Sequence, residues 1–97
     1  MSIESIFSDL TTQAANVAPF GAKLKFVLGE DIILIDGSGD SNVVSRDDVE
    51  AACTISTDPE TFLQLKNGEL NPMMAVMSGK IKIKGDMGLA MKLQSLI

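Results

Sequence analysis

Ninety-seven residues with 45% apolar and 22% charged side chains and a net charge of −5 describe one globular domain over residues 1–97, rich in hydrophobic material yet charged enough to stay dissolved. Eight basic residues against thirteen carboxylates argue against a nucleic-acid binder, because neutralising phosphates takes clustered Lys and Arg. Histidine is absent, which removes the commonest general base and metal ligand, and the single Cys53 can close no internal disulfide, in keeping with a reducing compartment.

The uncharged apolar runs at residues 32–35 and 73–77 fall far short of the roughly 20 residues that cross a bilayer. Glu4 and Asp9 stand where an export signal would be basic and then continuously apolar. A cytoplasmic location is the expectation, since Ser95-Leu96-Ile97 is not a peroxisomal tripeptide.

In chain order, Ile3, Ile6, Phe7, Leu10, Ala14 and Val17 recur at spacings of three and four, which predicts an amphipathic helix opened by Ser2 and ended by Pro19 and Gly21. Residues 23–28 alternate, with Leu24, Phe26 and Leu28 on one face of a strand. After a turn at Gly29-Glu30-Asp31, residues 32–35 are apolar on both faces and predict a strand covered on each side. A weaker strand signal spans residues 42–47 beside the acidic group Asp47, Asp48 and Glu50, and a clearer one spans residues 52–56.

Thr57 or Asp58 then caps a helix with Pro59 in its first turn, Phe62 and Leu65 facing inward and Gly68 as its stop. Asn71-Pro72 repeats that start signal for a short helix through Met73, Met74 and Met77, closed by Gly79. Residues 80–84 alternate Lys and Ile as a strand with one wet face, and Asp86 caps a final helix whose only polar stripe is Gly88, Lys92 and Ser95. The order predicts an α+β layer with helices on one sheet face.

Catalytic chemistry has little to work with. Cys53 lies among apolar neighbours in a strand pattern and reads as a small buried hydrophobe. The acidic turn lacks calcium-loop spacing, and Gly85-Asp86-Met87-Gly88 lacks the rest of a phosphate loop. The expectation is no enzyme, no cofactor and no metal. Five of the six methionines fall within residues 68–93, either as filler of an irregular core or as the re-packable wall of a cavity for variable apolar shapes.

With these elements placed, residues 77–94, Met-Ser-Gly-Lys-Ile-Lys-Ile-Lys-Gly-Asp-Met-Gly-Leu-Ala-Met-Lys-Leu-Gln, closely resemble the hallmark region of the sterol carrier protein lipid-transfer domain. The resemblance runs back through residues 62–72 and 53–55 and rests on element order alone before residue 50. It implies a five-stranded, mostly antiparallel sheet with helices packed on one face, enclosing an apolar tunnel. The tunnel would hold a fatty acid, acyl-CoA, sterol or phospholipid without transforming it.

On that reading the methionines turn toward a ligand. Facing patterns assign Leu24, Phe26, Ile81 and Ile83 of the sheet, and Phe62, Leu65, Met73, Met74, Met77, Met87, Ala90 and Met91 of the helices, to the lipid-binding wall. Gln94 falls near the tunnel mouth. The family often has a further covering segment after the terminal helix, so a more open tunnel and a homodimer through the C-terminal helix are expectations, as is transient contact with a membrane surface. The alternative function is an accessory interaction module organising enzymes that modify lipids or isoprenoid quinones.

Overall fold

The structure is a computed structural model, and it describes residues 3–92. The elements run α1 (Ile3–Ala15), β1 (Lys23–Leu28), β2 (Asp31–Asp36), β3 (Val43–Ser45), β4 (Cys53–Thr57), α2 (Pro59–Lys66), α3 (Pro72–Met77), β5 (Lys82–Gly85) and α4 (Met87–Ala90). The five strands form one sheet in the order β3-β2-β1-β4-β5. Three pairings are antiparallel; β1 and β4 run parallel.

Side-chain alternation sorts the sheet into two faces. On the inner face the register aligns Ile33, Phe26, Ile55 and Ile83 across four strands, with a second row of Val44, Ile35, Leu24, Cys53 and Gly85 beside it. Helices cover this face: Ile6, Leu10 and Ala14 of α1, Phe62 and Leu65 of α2, Ala75 of α3, and Leu89 and Ala90 of α4 join these rows in one buried cluster. Phe26 and Phe62 meet edge to face, ring centroids 5.6 Å apart and planes at 72°, the arrangement that aromatic quadrupoles favour.

The outer face is mostly polar, with Lys25, Thr54 and Lys84 in one row and Val27, Ser56 and Lys82 in the next. The parallel pairing of β1 with β4 requires a crossover, and residues 46–52 make it without regular structure. Lys25 Nζ donates to Asp48 at 2.9 Å, which lays this connection across the outer face. Leu34, in register with Lys25, is accordingly buried, as the doubly apolar pattern of β2 predicted.

Local chemistry sets the helix starts. The carboxylate or amide oxygens of Asp58, Asn71 and Asp86 accept from the backbone of Thr61 (2.6 Å), Met73 (2.8 Å) and Leu89 (3.1 Å), satisfying orphan donors of α2, α3 and α4. The strand expected at residues 80–84 instead spans Lys82–Gly85. The amides of Lys80 and Ile81 both donate to Ala75 O, so those residues complete the end of α3 before the sheet resumes. The proposed cap Ser2 and the end of the final helix lie outside the described residues.

Candidate functional site

The residues expected to bind lipid fall into two environments. Leu24, Phe26, Phe62, Leu65, Ile81 and Ala90 are buried between sheet and helices, and Ile83 is half-buried in the same layer. Met73, Met74 and Met77 on α3 and Met87 and Met91 on and just after α4 are between 52% and 80% exposed. Gln94 lies outside the described residues.

The two environments adjoin because α3 and α4 are thin attachments. α3 has six residues and buries Ala75 completely, while Val76 packs partly against the core. α4 has four residues and buries Leu89 and Ala90. The core-facing positions go to Ala75 in α3 and to Leu89 and Ala90 in α4, and the methionines of both helices stay exposed.

Two polar arrangements escaped the sequence reading. Asn42 is the hub of the α1 end: its Oδ1 accepts from Phe20 N at 3.0 Å, and its Nδ2 donates to Ala14 O at 3.2 Å and Ala18 O at 3.0 Å. It reads in the sequence as the first residue of the weak strand signal over residues 42–47, and nothing local marks its role because its partners lie more than twenty residues away. On the outer face, Val27, Gly29, Ser56, Thr57, Asp58, Gly79, Lys80 and Lys82 line an open concavity of about 300 Å³. Only the tertiary pairing of β4 with β1 and β5 assembles it.

Burial, and secondarily the Asp86 carboxylate, push the Cys53 thiol upward, away from the thiolate a nucleophile needs. Among the described residues no cluster of His, Cys, Asp and Glu could hold a metal ion, and no helix is long and apolar enough to cross a membrane. The hydrogen bond from Thr61 N holds the Asp58 carboxyl below the usual range, consistent with a charged helix cap.

The family model of the SCP-2 sterol transfer family matches residues 3–97, and the chain belongs to that family. Human sterol carrier protein 2 is 48% identical over 59 residues, covering 61% of this chain and 11% of that protein. A hydroxysteroid dehydrogenase-like protein 2 from Danio rerio is 51% identical over 49 residues, covering 50% of this chain and 12% of that protein. The chain thus spans about a tenth of the length of the curated relatives it matches. The solution structure of the sterol carrier protein domain 2 of Helicoverpa armigera superposes with a TM-score of 0.79 at 25% identity, covering 97% of this chain and 84% of that one. A ubiquinone synthesis protein, UbiJ-SCP2, has the same fold, with a TM-score of 0.71 at 17% identity over 96% of this chain and 90% of that one.

Proposed function

We propose that this chain is a single non-catalytic domain that carries an apolar lipid, of the fatty acid, acyl-CoA, sterol-like or phospholipid class, between its sheet and its helices. The observation that carries the reading is the match of the sterol transfer family to residues 3–97, together with the exposed methionines that border the buried layer. Methionine wraps variable apolar shapes, and each methylene withdrawn from water contributes about 0.8 kcal/mol, so an acyl chain supplies ample driving force without a specific polar anchor. Entry requires α3 and α4 to yield. Among the helices they bury the fewest side chains, Ala75 in α3 and Leu89 and Ala90 in α4, hence they are the least costly helices to displace. Leu24, Phe26, Phe62, Leu65, Ile81, Ile83 and Ala90 then form the inner wall, with Met73, Met74, Met77, Met87 and Met91 closing over the guest.

The test is binding of a fluorescent fatty acid, with mass spectrometry of organic extracts from the folded protein. Met77→Glu and Met91→Glu are expected to weaken binding at least tenfold, because a carboxylate cannot follow the side chain onto hydrocarbon without a large desolvation cost. Their exposure keeps folding out of the result. Failure of the unmodified protein to bind any of the four lipid classes at micromolar concentration overturns the reading.

The fold shared with UbiJ-SCP2 supports a second reading, an accessory module whose apolar face binds a protein acting on lipids or isoprenoid quinones. There the same substitutions abolish co-purification of a partner and leave lipid uptake unchanged. An enzyme is disfavoured by the missing histidine and the raised Cys53 thiol. Turnover of a thioester by the pure protein, lost in Cys53→Ala, would reverse that.

A further inference from the structure

We propose that the β5 edge of the molecule, where Lys80, Lys82 and Lys84 lie beside the exposed methionines of α3 and α4, is the surface that docks onto an anionic lipid bilayer. The purpose of docking rests on the carrier reading, since a carrier must meet the membrane it loads from. The surface itself rests on charge and geometry.

Charge is segregated along this chain. Residues 70–97 hold four lysines against the single carboxylate of Asp86, whereas residues 1–69 hold four basic groups against twelve acidic ones. A protein with an overall charge of −5 therefore offers an anionic surface one attractive side. The three ion pairs among the described residues, Lys25–Asp48, Arg46–Asp31 and Lys66–Asp9, all lie outside that side. Lys92 is occupied elsewhere, its Nζ donating to Phe20 O at 3.2 Å and resting 5.7 Å from the Phe20 ring centre. Lys80, Lys82 and Lys84 remain exposed and form no ion pair among the described residues, although the Asp58 carboxylate, occupied as the α2 cap, lines the same concavity as Lys80 and Lys82.

The fold brings charge and apolar groups to one edge. β5 is the last strand of the sheet, and Lys82 and Lys84, in register with Ser56 and Thr54, project from its outer face. Lys80 is folded back onto α3 by its backbone bond to Ala75 O, a short step from Met77, which is 80% exposed. α4 packs against β4 and β5 from the inner side and exposes Met87 and Met91. Ammonium groups suited to phosphate head groups are thus bordered by flexible side chains suited to the acyl boundary. Lysines on an edge strand also discourage sheet-to-sheet pairing. That role leaves the adjacent exposed methionines unexplained, and the opposite edge strand, β3, has none. The amphipathic α1 is a poor membrane contact, because it carries Glu4 and Asp9 and no basic residue.

Flotation with phosphatidylcholine vesicles, with and without phosphatidylglycerol, tests the proposal. The protein should bind the anionic vesicles only, and more weakly as salt rises. Lys80→Gln, Lys82→Gln and Lys84→Gln together should lower vesicle affinity roughly a hundredfold, at about fivefold per lysine, while fatty acid binding in solution stays unchanged. A Met77→Trp probe should shift to the blue on anionic vesicles and be quenched by brominated acyl chains, while a Val43→Trp probe on β3 stays indifferent. Docking is overturned if the triple variant floats like the unmodified protein, or if anionic vesicles fail to bind a protein that still takes up fatty acid. Lipid-independent, concentration-dependent burial of the Met77→Trp probe also overturns it, since a second copy would then cover the face. Vesicle binding without uptake of fatty acid, acyl-CoA, sterol or phospholipid in solution sinks the carrier reading and leaves docking standing.

Discussion

Gly85 shows how little space separates this sequence from failure. It sits at φ +106°, and a Cβ added there would stand 2.2 Å from Ala52 O, inside a backbone that cannot move aside without losing the β4–β5 register. Gly85→Ala should cost about 3 kcal/mol or more, from combined backbone strain and steric overlap, read as the change in urea midpoint. Asn42 works by satisfaction rather than by space. Removing its amide leaves Phe20 N and the carbonyls of Ala14 and Ala18 without that partner at a half-buried helix end. Asn42→Ala should lower stability by about 2–3 kcal/mol, again by urea unfolding. Asn42→Asp should fail to rescue it, because a carboxylate keeps the acceptor, loses both donors and places negative charge at a helix C-terminus. Neither demand is visible in the sequence, where Asn42 begins a weak strand signal and Gly85 simply precedes the Asp86 cap.

Among the elements, α2 is the one whose stability should follow pH. The folded-state pKa of Asp58 is depressed, chiefly by the hydrogen bond from Thr61 N. The contribution of its charge is therefore complete above the ordinary carboxylate value of about 3.9 and is lost as pH falls through the lower folded value. Asp36, held down by the hydroxyl and amide of Ser38, acts in the same direction. Asp58→Ala should cost about 1 kcal/mol near neutrality, and the gap to the unmodified protein should narrow in strong acid. A gap that stays constant would mean that the cap works without its charge. The caps Asn71 and Asp86 were readable in the sequence, and Asp58 was one of two candidates beside Thr57, since an Asx residue directly before a helix pattern signals its own hydrogen bond. The start of β5 was not, because the competition of Ala75 O for the Lys80 and Ile81 amides is set by how α3 ends.

For the whole molecule, a guest that binds only the folded state must raise its stability. At a ligand concentration near a hundred times Kd the gain is about 2.7 kcal/mol, which for a domain of this size means a rise in Tm on the order of 10 °C. Differential scanning fluorimetry with fatty acid should record that rise, and it should shrink in Met77→Glu. An unmoved Tm at saturating fatty acid would argue that this lipid is not the cargo.

The sequence by itself determined most of the local structure and the family. Period-two and period-three-to-four patterns, Asx-Pro starts and glycine stops are written in neighbouring residues, and the Lys-Ile alternation through Gly85-Asp86 carries the resemblance. Only the tertiary structure decided the parallel joining of β1 to β4, the burial of Leu34 beneath the crossover, and the sites of Gly85 and Asn42, each of which depends on chain segments distant in sequence. It also decided the exposure of the methionines. Hydrophobicity states that a side chain gains from burial, but whether anything is there to bury it is settled by which face of a short helix meets the core. In α3 and α4 that face belongs to Ala75, Leu89 and Ala90.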